Sequence, residues 1–198
     1  MELPASDILE RLLQGNRRFA LGEALHPNVS VARRKEISSF QQPLATILGC
    51  SDSRVPPELV FDCGLGDLFV IRTAGHTVDE IVIESILFGI VSLHIPVVMV
   101  LGHSGCGAVS RAIQEGQHGA RDGTASRISQ QIWPAIEQCE NRDNVLLDSV
   151  VKAHVKLTVT RIENLILPFS KDVSVLGAYY DLNTGIVEII SRPTRAST

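Results

Sequence analysis

A chain of 198 residues, 44% hydrophobic and 20% charged, suits one globular domain over residues 1–198 and leaves little room for a second. The formal net charge is -4, and the one dense basic run, Arg33, Arg34 and Lys35, meets Glu36 at once and reads as a solvated face, so nucleic acid is not an expected partner. The apolar stretch over 81–101 holds Glu84, Gly89, Ser92, His94 and Pro96, which fits a buried helix and strand rather than a membrane span; with no secretory signal visible over 1–20, a cytoplasmic location is expected.

In chain order, Asp7 with Glu10 three residues later has the form of a capping box. Ile8, Leu9, Leu12 and Leu13 then make an apolar stripe at helical spacing, which predicts a helix over 6–21. Gly22 and the His26-Pro27 pair end it in a loop over 21–28. Residues 44–49 (LATILG), 68–72 (LFVIR) and 97–102 (VVMVLG) are apolar runs without alternation, as in strands covered on both faces of a parallel sheet. Crossover helices fit between them, a brief one over 57–61 and a long one over 79–93.

Further helices are predicted over 104–115, 126–139 and 144–167, with a surface loop over 116–124. Residues 173–182 and 185–190, joined at Asn183-Thr184-Gly185, read as a terminal β-hairpin. The fold class is therefore α/β, with a central, mostly parallel sheet flanked by helices. A helical arm over 1–40 precedes an α/β core over 41–198.

Cys50 follows the first predicted strand and His103 the third, each directly after a glycine, so both emerge at carboxyl ends of parallel strands, where crevices form. Cys106 lies one tight turn beyond His103. Two thiolates and an imidazole favour zinc, and three protein ligands leave a fourth position open for water or substrate. His-x-x-Cys alone is a weak pattern, since each of these residues also serves in cores. Asp52 and Arg54 strengthen it, because a charge-assisted pair two and four residues from a ligand can orient the site. Four cysteines in a reducing compartment argue for metal or catalysis before disulfides. Cys63 and Cys139 lack a matching partner pattern and read as small core hydrophobes.

The segments Cys50-Ser-Asp52-Ser-Arg54 and His103-Ser-Gly-Cys106-Gly-Ala-Val109 resemble the beta-class carbonic anhydrases. The likeness extends through Phe61-Asp-Cys-Gly-Leu-Gly-Asp67, Phe69-Val-Ile-Arg72-Thr-Ala74 and Tyr180-Asp-Leu-Asn-Thr-Gly185, most of the chain. The resemblance implies an N-terminal helix packing on a partner subunit and an obligate homodimer, with assembly to a tetramer open. The apolar 81–93 helix, with little polar face to offer water, is compatible with such an interface. It also implies a substrate-contacting glutamine at Gln41.

The activity so implied is zinc-dependent, reversible hydration of carbon dioxide to bicarbonate and a proton, by attack of zinc-bound hydroxide, with one Zn2+ per chain. Asp52, held ionised by Arg54, would orient the attacking group, and Gln41 with the backbone around Gly107 would stabilise charge developing on the substrate. Some family members close the fourth position with the aspartate, which makes Asp52 a conditional metal ligand. Ile47 stands where a self-inhibited subgroup carries a tryptophan, which speaks against that subgroup's noncatalytic bicarbonate pocket. Thr73 replaces a common asparagine. His76 and His26 read as ordinary surface histidines and are the candidates for proton export. The alternatives are a hydrolase of carbonyl sulfide or carbon disulfide on the same scaffold and a noncatalytic zinc-binding protein; a thiol redox role is weaker, as no Cys-x-x-Cys pair exists.

Overall fold

The computed structural model of the chain describes residues 3–117, 125–139, 146–170 and 172–192. Helix α1 (Ala5–Leu21) turns Ile8, Leu9 and Leu12 into the core of its own chain. Its capping box does not form. The helix starts ahead of Asp7 because the Pro4 carbonyl takes the first amides, from Asp7 and Ile8, leaving Asp7 bonded to the Ser6 hydroxyl and Glu10 to Gln14. Further along, the Asn16 amide group donates to the carbonyls of Val60 (3.1 Å) and Gly185 (2.8 Å) and accepts from the Val187 amide (2.8 Å). One buried side chain thus ties the first helix to the terminal hairpin. The basic run lies in a short helix, α2 (Val31–Glu36), capped by the Ser30 hydroxyl.

The sheet has the order β2-β1-β3-β4-β5. It comprises β1 (Ala45–Cys50), β2 (Leu68–Thr73), β3 (Val97–His103), β4 (Ser174–Tyr180) and β5 (Val187–Ser191). The first four strands run parallel and β5 pairs antiparallel with β4, closing the expected hairpin. Asp181 organises its turn: the carboxylate accepts from the amides of Asn183 and Thr184, and the backbone carbonyl from the Gly185 amide. Each of β1 and β3 extends one residue past its predicted end, so Cys50 and His103 are the last residues of neighbouring strands rather than the first of the loops.

Helix α3 (Pro57–Val60) and the long α4 (Glu80–Leu93), capped by the Asp79 carboxylate, fall where they were predicted. The helix expected to open at Ser104 instead begins as α5 (Gly107–Gln117). The Ser104 amide continues the strand ladder onto the Tyr180 carbonyl, and Gly105 at φ 63° breaks helical geometry. The predicted 116–124 loop starts inside α5, and its residues 118–124 lie outside the described residues. Helices α6 (Arg127–Cys139) and α7 (Leu147–Ile166) complete the chain order; residues 144–145 of the predicted 144–167 helix also lie outside the described residues.

One face of the sheet packs on α1 and α3, the other on α4 and α7, and a third apolar cluster joins α5, α6 and α7 beside Cys50 and Cys106. Gly102 makes the last of these contacts possible. A Cβ there would lie 2.6 Å from Val155 Cγ2 and 2.9 Å from Val151 Cγ1, so only a glycine lets α7 close on the strand that ends in His103. Cys63 and Cys139 are half-buried and pack against the core, as small hydrophobes would. Among the described residues, no helix is long and apolar enough to cross a membrane.

Candidate metal centre

Because β1 and β3 are adjacent and parallel, their carboxyl ends put Cys50 beside His103, and the turn at Ser104-Gly105 brings Cys106 back onto the same point. The donor atoms of Cys50, His103 and Cys106 all lie within 4.8 Å of one another, and all three residues are buried. The sulfurs are 4.0 Å apart. Two thiolates on one tetrahedral zinc at 2.3 Å stand about 3.8 Å apart, so the pair already has the required span.

The imidazole is oriented for the same purpose. His103 Nδ1 lies 2.9 Å from the Ser104 carbonyl, which only accepts, so Nδ1 carries the proton. Nε2 is left with its lone pair free, buried and without a hydrogen-bond partner. An orphaned ring nitrogen facing two thiols costs stability unless a cation takes it. Both the donor set and the span fit zinc.

The electrostatics agree. Cys50 shares a proton contact with the Cys106 thiol and accepts from the Gly75 amide (3.3 Å), and these bonds, with the His103 ring close by, pull its pKa down against the opposing effect of burial. Cys106, as the donor to Cys50 and itself buried, is pushed up, although the Ala108 and Val109 amides at the start of α5 oppose the rise. Zinc is held by thiolates, so its binding here would release the proton that lies between the two sulfurs.

Asp52 and Arg54 stand at the mouth. Arg54 donates to the Asp52 carboxylate from Nε (2.9 Å), Nη2 (2.7 Å) and its own backbone amide (2.9 Å), and holds the carboxyl well below the usual carboxylate range. Asp52 Oδ2 stays 3.9 Å from His103 Nε2, near the three donors without joining their group.

Gln41 is not brought to this cluster. It is exposed and precedes the amino end of β1, while Cys50 ends the strand, which leaves about 16 Å of extended chain between the two ends. Gly107 opens α5 directly after Cys106, with nothing near its Cα on the open side. His76 is not a surface histidine: it is fully buried, stacked on His154 with ring centroids 4.6 Å apart, and its ring nitrogens have no partner. His26 is exposed, as expected, in the loop that Asp62 holds through the Leu25 and His26 amides. Ile47 is fully buried against the α1 side of the core, and Thr73 donates to the Thr77 carbonyl (2.7 Å), closing the turn that follows β2.

Two site residues were not singled out from the sequence. Arg72, at the carboxyl end of β2, donates to the carbonyls of Cys50 (2.9 Å) and Asp52 (2.6 Å) and so braces the whole 50–54 loop. A cation at the carboxyl end of a predicted strand was the available signal. Gly75, which gives its amide to Cys50, carried none beyond being a glycine after a strand.

The family model described as carbonic anhydrase matches residues 45–187. The carbonic anhydrase of Mycolicibacterium smegmatis is 36% identical over 188 residues, covering 91% of this chain and 90% of that one. A beta-carbonic anhydrase from Coccomyxa, solved in complex with acetazolamide, superposes with a TM-score of 0.69 at 23% identity, over 91% of this chain and 85% of the other. One of two tetrameric beta-carbonic anhydrases of Sordaria macrospora gives 0.61 at 20% identity, over 92% and 96%. A family model over most of the chain, a relative alike from end to end, and a shared fold around a Cys, His, Cys group place this chain in the beta-carbonic anhydrase family, whose general reaction is the hydration of carbon dioxide.

Proposed function

We propose that this chain binds one zinc ion through Cys50, His103 and Cys106 and catalyses the reversible hydration of carbon dioxide. The observation that carries this reading is the convergence of three buried donors with His103 Nε2 left unpartnered. Zinc held by three protein ligands supplies, when bound, an activated water at its open position.

The chain's own residues do the rest. Asp52 accepts the proton of the attacking water as a hydrogen bond and so aims its lone pair at the substrate carbon. Arg54 keeps that carboxylate ionised and fixed in direction. The backbone opening α5 at Gly107 faces the charge that develops on substrate oxygen. Release of Asp52 from Arg54 toward the metal would close the site, with Asp52 as a fourth ligand.

Gln41 serves the substrate only if a second copy brings it, since its own chain holds it at the far end of β1. The surface supports such a copy: α4 leaves Ile81 (67%), Phe88 (48%) and Val91 (53%) exposed, and the Phe88 ring packs at a tilt against Phe69 of the edge strand β2. An apolar stripe of this kind beside an open strand edge is the profile of a covered interface. A homodimer is the smallest assembly that covers it. The wild type is expected to sediment as a dimer or larger and Phe88→Glu as a monomer with much reduced hydration activity; a fully active monomeric wild type would remove the role given to Gln41.

The decisive experiment is stopped-flow carbon dioxide hydration across pH on a sample of measured zinc content, with carbonyl sulfide and carbon disulfide assayed in parallel. The expected result is one zinc per chain and hydration dominant. Stoichiometric zinc with no turnover on any of the three substrates would leave a noncatalytic zinc protein, and preference for a sulfur substrate would reassign the reaction.

A further inference from the structure

We infer that His154, on α7, is a positioning residue for the metal thiolate, acting on Cys50 through Gly75. The inference rests on the zinc reading above and concerns a residue outside the metal group. Beyond β2 the chain enters a tight turn in which Gly75 (φ 67°, ψ 26°) and His76 (φ 44°) are successive left-handed residues. Glycine adopts this conformation freely, whereas histidine holds it only where surroundings enforce it.

The turn has a function at each end. The Gly75 amide donates to Cys50 Sγ at 3.3 Å, and the Gly75 carbonyl lies 3.1 Å from His154 Nε2. A carbonyl accepts, so Nε2–H of His154 is the donor and its Nδ1 carries the lone pair. His154 is 3% exposed, and burial pushes its pKa down to about 4, so the ring remains a neutral donor. The same ring stacks on His76, 4.6 Å between centroids and 34° between planes. One imidazole on α7 therefore fixes both left-handed residues, Gly75 by its carbonyl and His76 by its ring.

An N–H···S bond to a thiolate draws charge from the sulfur and fixes the direction of its lone pairs, which sets how strongly it binds a metal. Space around Gly75 is tight: a Cβ there would meet Ala108 Cβ at 3.1 Å and Ile132 Cδ1 at 3.3 Å. Without the His154 donor, the buried Gly75 carbonyl loses its partner and the turn relaxes toward an ordinary conformation, carrying the amide off the sulfur.

Two variants separate donor from ring. His154→Phe keeps an aromatic ring for His76 and deletes the donor, while His154→Gln keeps an N–H donor and deletes the ring. Each is loaded with cobalt(II) to record the sulfur-to-metal charge-transfer band, and with zinc to measure affinity by chelator competition. His154→Phe is expected to bind zinc about 10 to 100 times more weakly than wild type, with the band moved to lower energy, and His154→Gln to restore both. Equal affinities and bands in all three proteins, or a glutamine variant no better than phenylalanine, would overturn the inference. Should His154→Phe not fold, His154→Met replaces it with the same expectation. A wild type that takes up no metal and shows no band defeats the zinc reading itself; a wild type whose band is intact and indifferent to residue 154 defeats only this inference.

Discussion

Cys106→Ala should give a folded protein that holds no stoichiometric zinc and hydrates carbon dioxide slower by on the order of a thousandfold or more. Cys106 is fully buried at the start of α5, and its sulfur spans 4.0 Å to Cys50, so its loss leaves two donors where three are needed. The fold should survive, because the change deletes one sulfur from an apolar cluster of α5, α6 and α7, a cost of about 1 kcal/mol. Cys63→Ala is the matched control. That thiol is pushed up to about 12, chiefly by burial, and it packs on the α1 side of the sheet, away from the metal group. Its variant should keep full zinc by elemental analysis and full activity. Normal turnover from a zinc-free Cys106→Ala protein would overturn the assignment of the ligands.

The parts of the fold that were legible in the sequence are those where one local signal has one physical meaning. The unalternating runs at 44–49 and 97–102 became parallel strands buried on both faces, which have no polar side to show, whereas the 68–72 run became the parallel edge strand β2, only half-buried along its length because it has a neighbour on one side alone. Cys50 and His103 were legible for the same reason, since strand ends in such a sheet share an edge. What failed was the local signal that a stronger neighbour outcompeted. Asp7 and Glu10 have cap chemistry, but the chain had already entered the helix at Pro4. Ser104 looked like a helix start, yet the ladder to Tyr180 held it in the strand.

The buried histidines show where sequence reading stops. His76 follows a strand in a glycine-containing segment, which is how an exposed turn residue is written. Its burial comes from elements distant in the chain: β3, α5 and α6 pack on its turn, and the ring of His154 on α7, seventy-eight positions away, lies against its own. No window on the sequence contains that contact. The same holds for Gln41: its distance from Cys50 along β1 follows from strand geometry, but its separation from the Cys, His, Cys group is seen only when both ends of the strand are placed together.

Asp52→Ala should separate metal binding from turnover, keeping zinc while losing about 100- to 10,000-fold in hydration rate. The carboxylate is not in the donor group, so metal binding should not depend on it, yet its Oδ2 lies 3.9 Å from the unpartnered Nε2 of His103. The pH dependence sharpens the test. Arg54 depresses the Asp52 pKa, so the carboxylate is ionised above that low value and its function is lost only as pH falls through it, well below the ordinary carboxylate range. In Arg54→Ala the guanidinium's share of the depression, the largest, is removed while the residue-54 backbone amide still donates, so the pKa rises and the Asp52-dependent loss of activity should begin at higher pH. The freed carboxylate can then also turn toward the metal, so the variant should be slower than wild type even at neutral pH, while still binding zinc. Asp52→Ala with undiminished turnover would demote the pair to a brace for the 50–54 loop, a role Arg72 already fills from the other side.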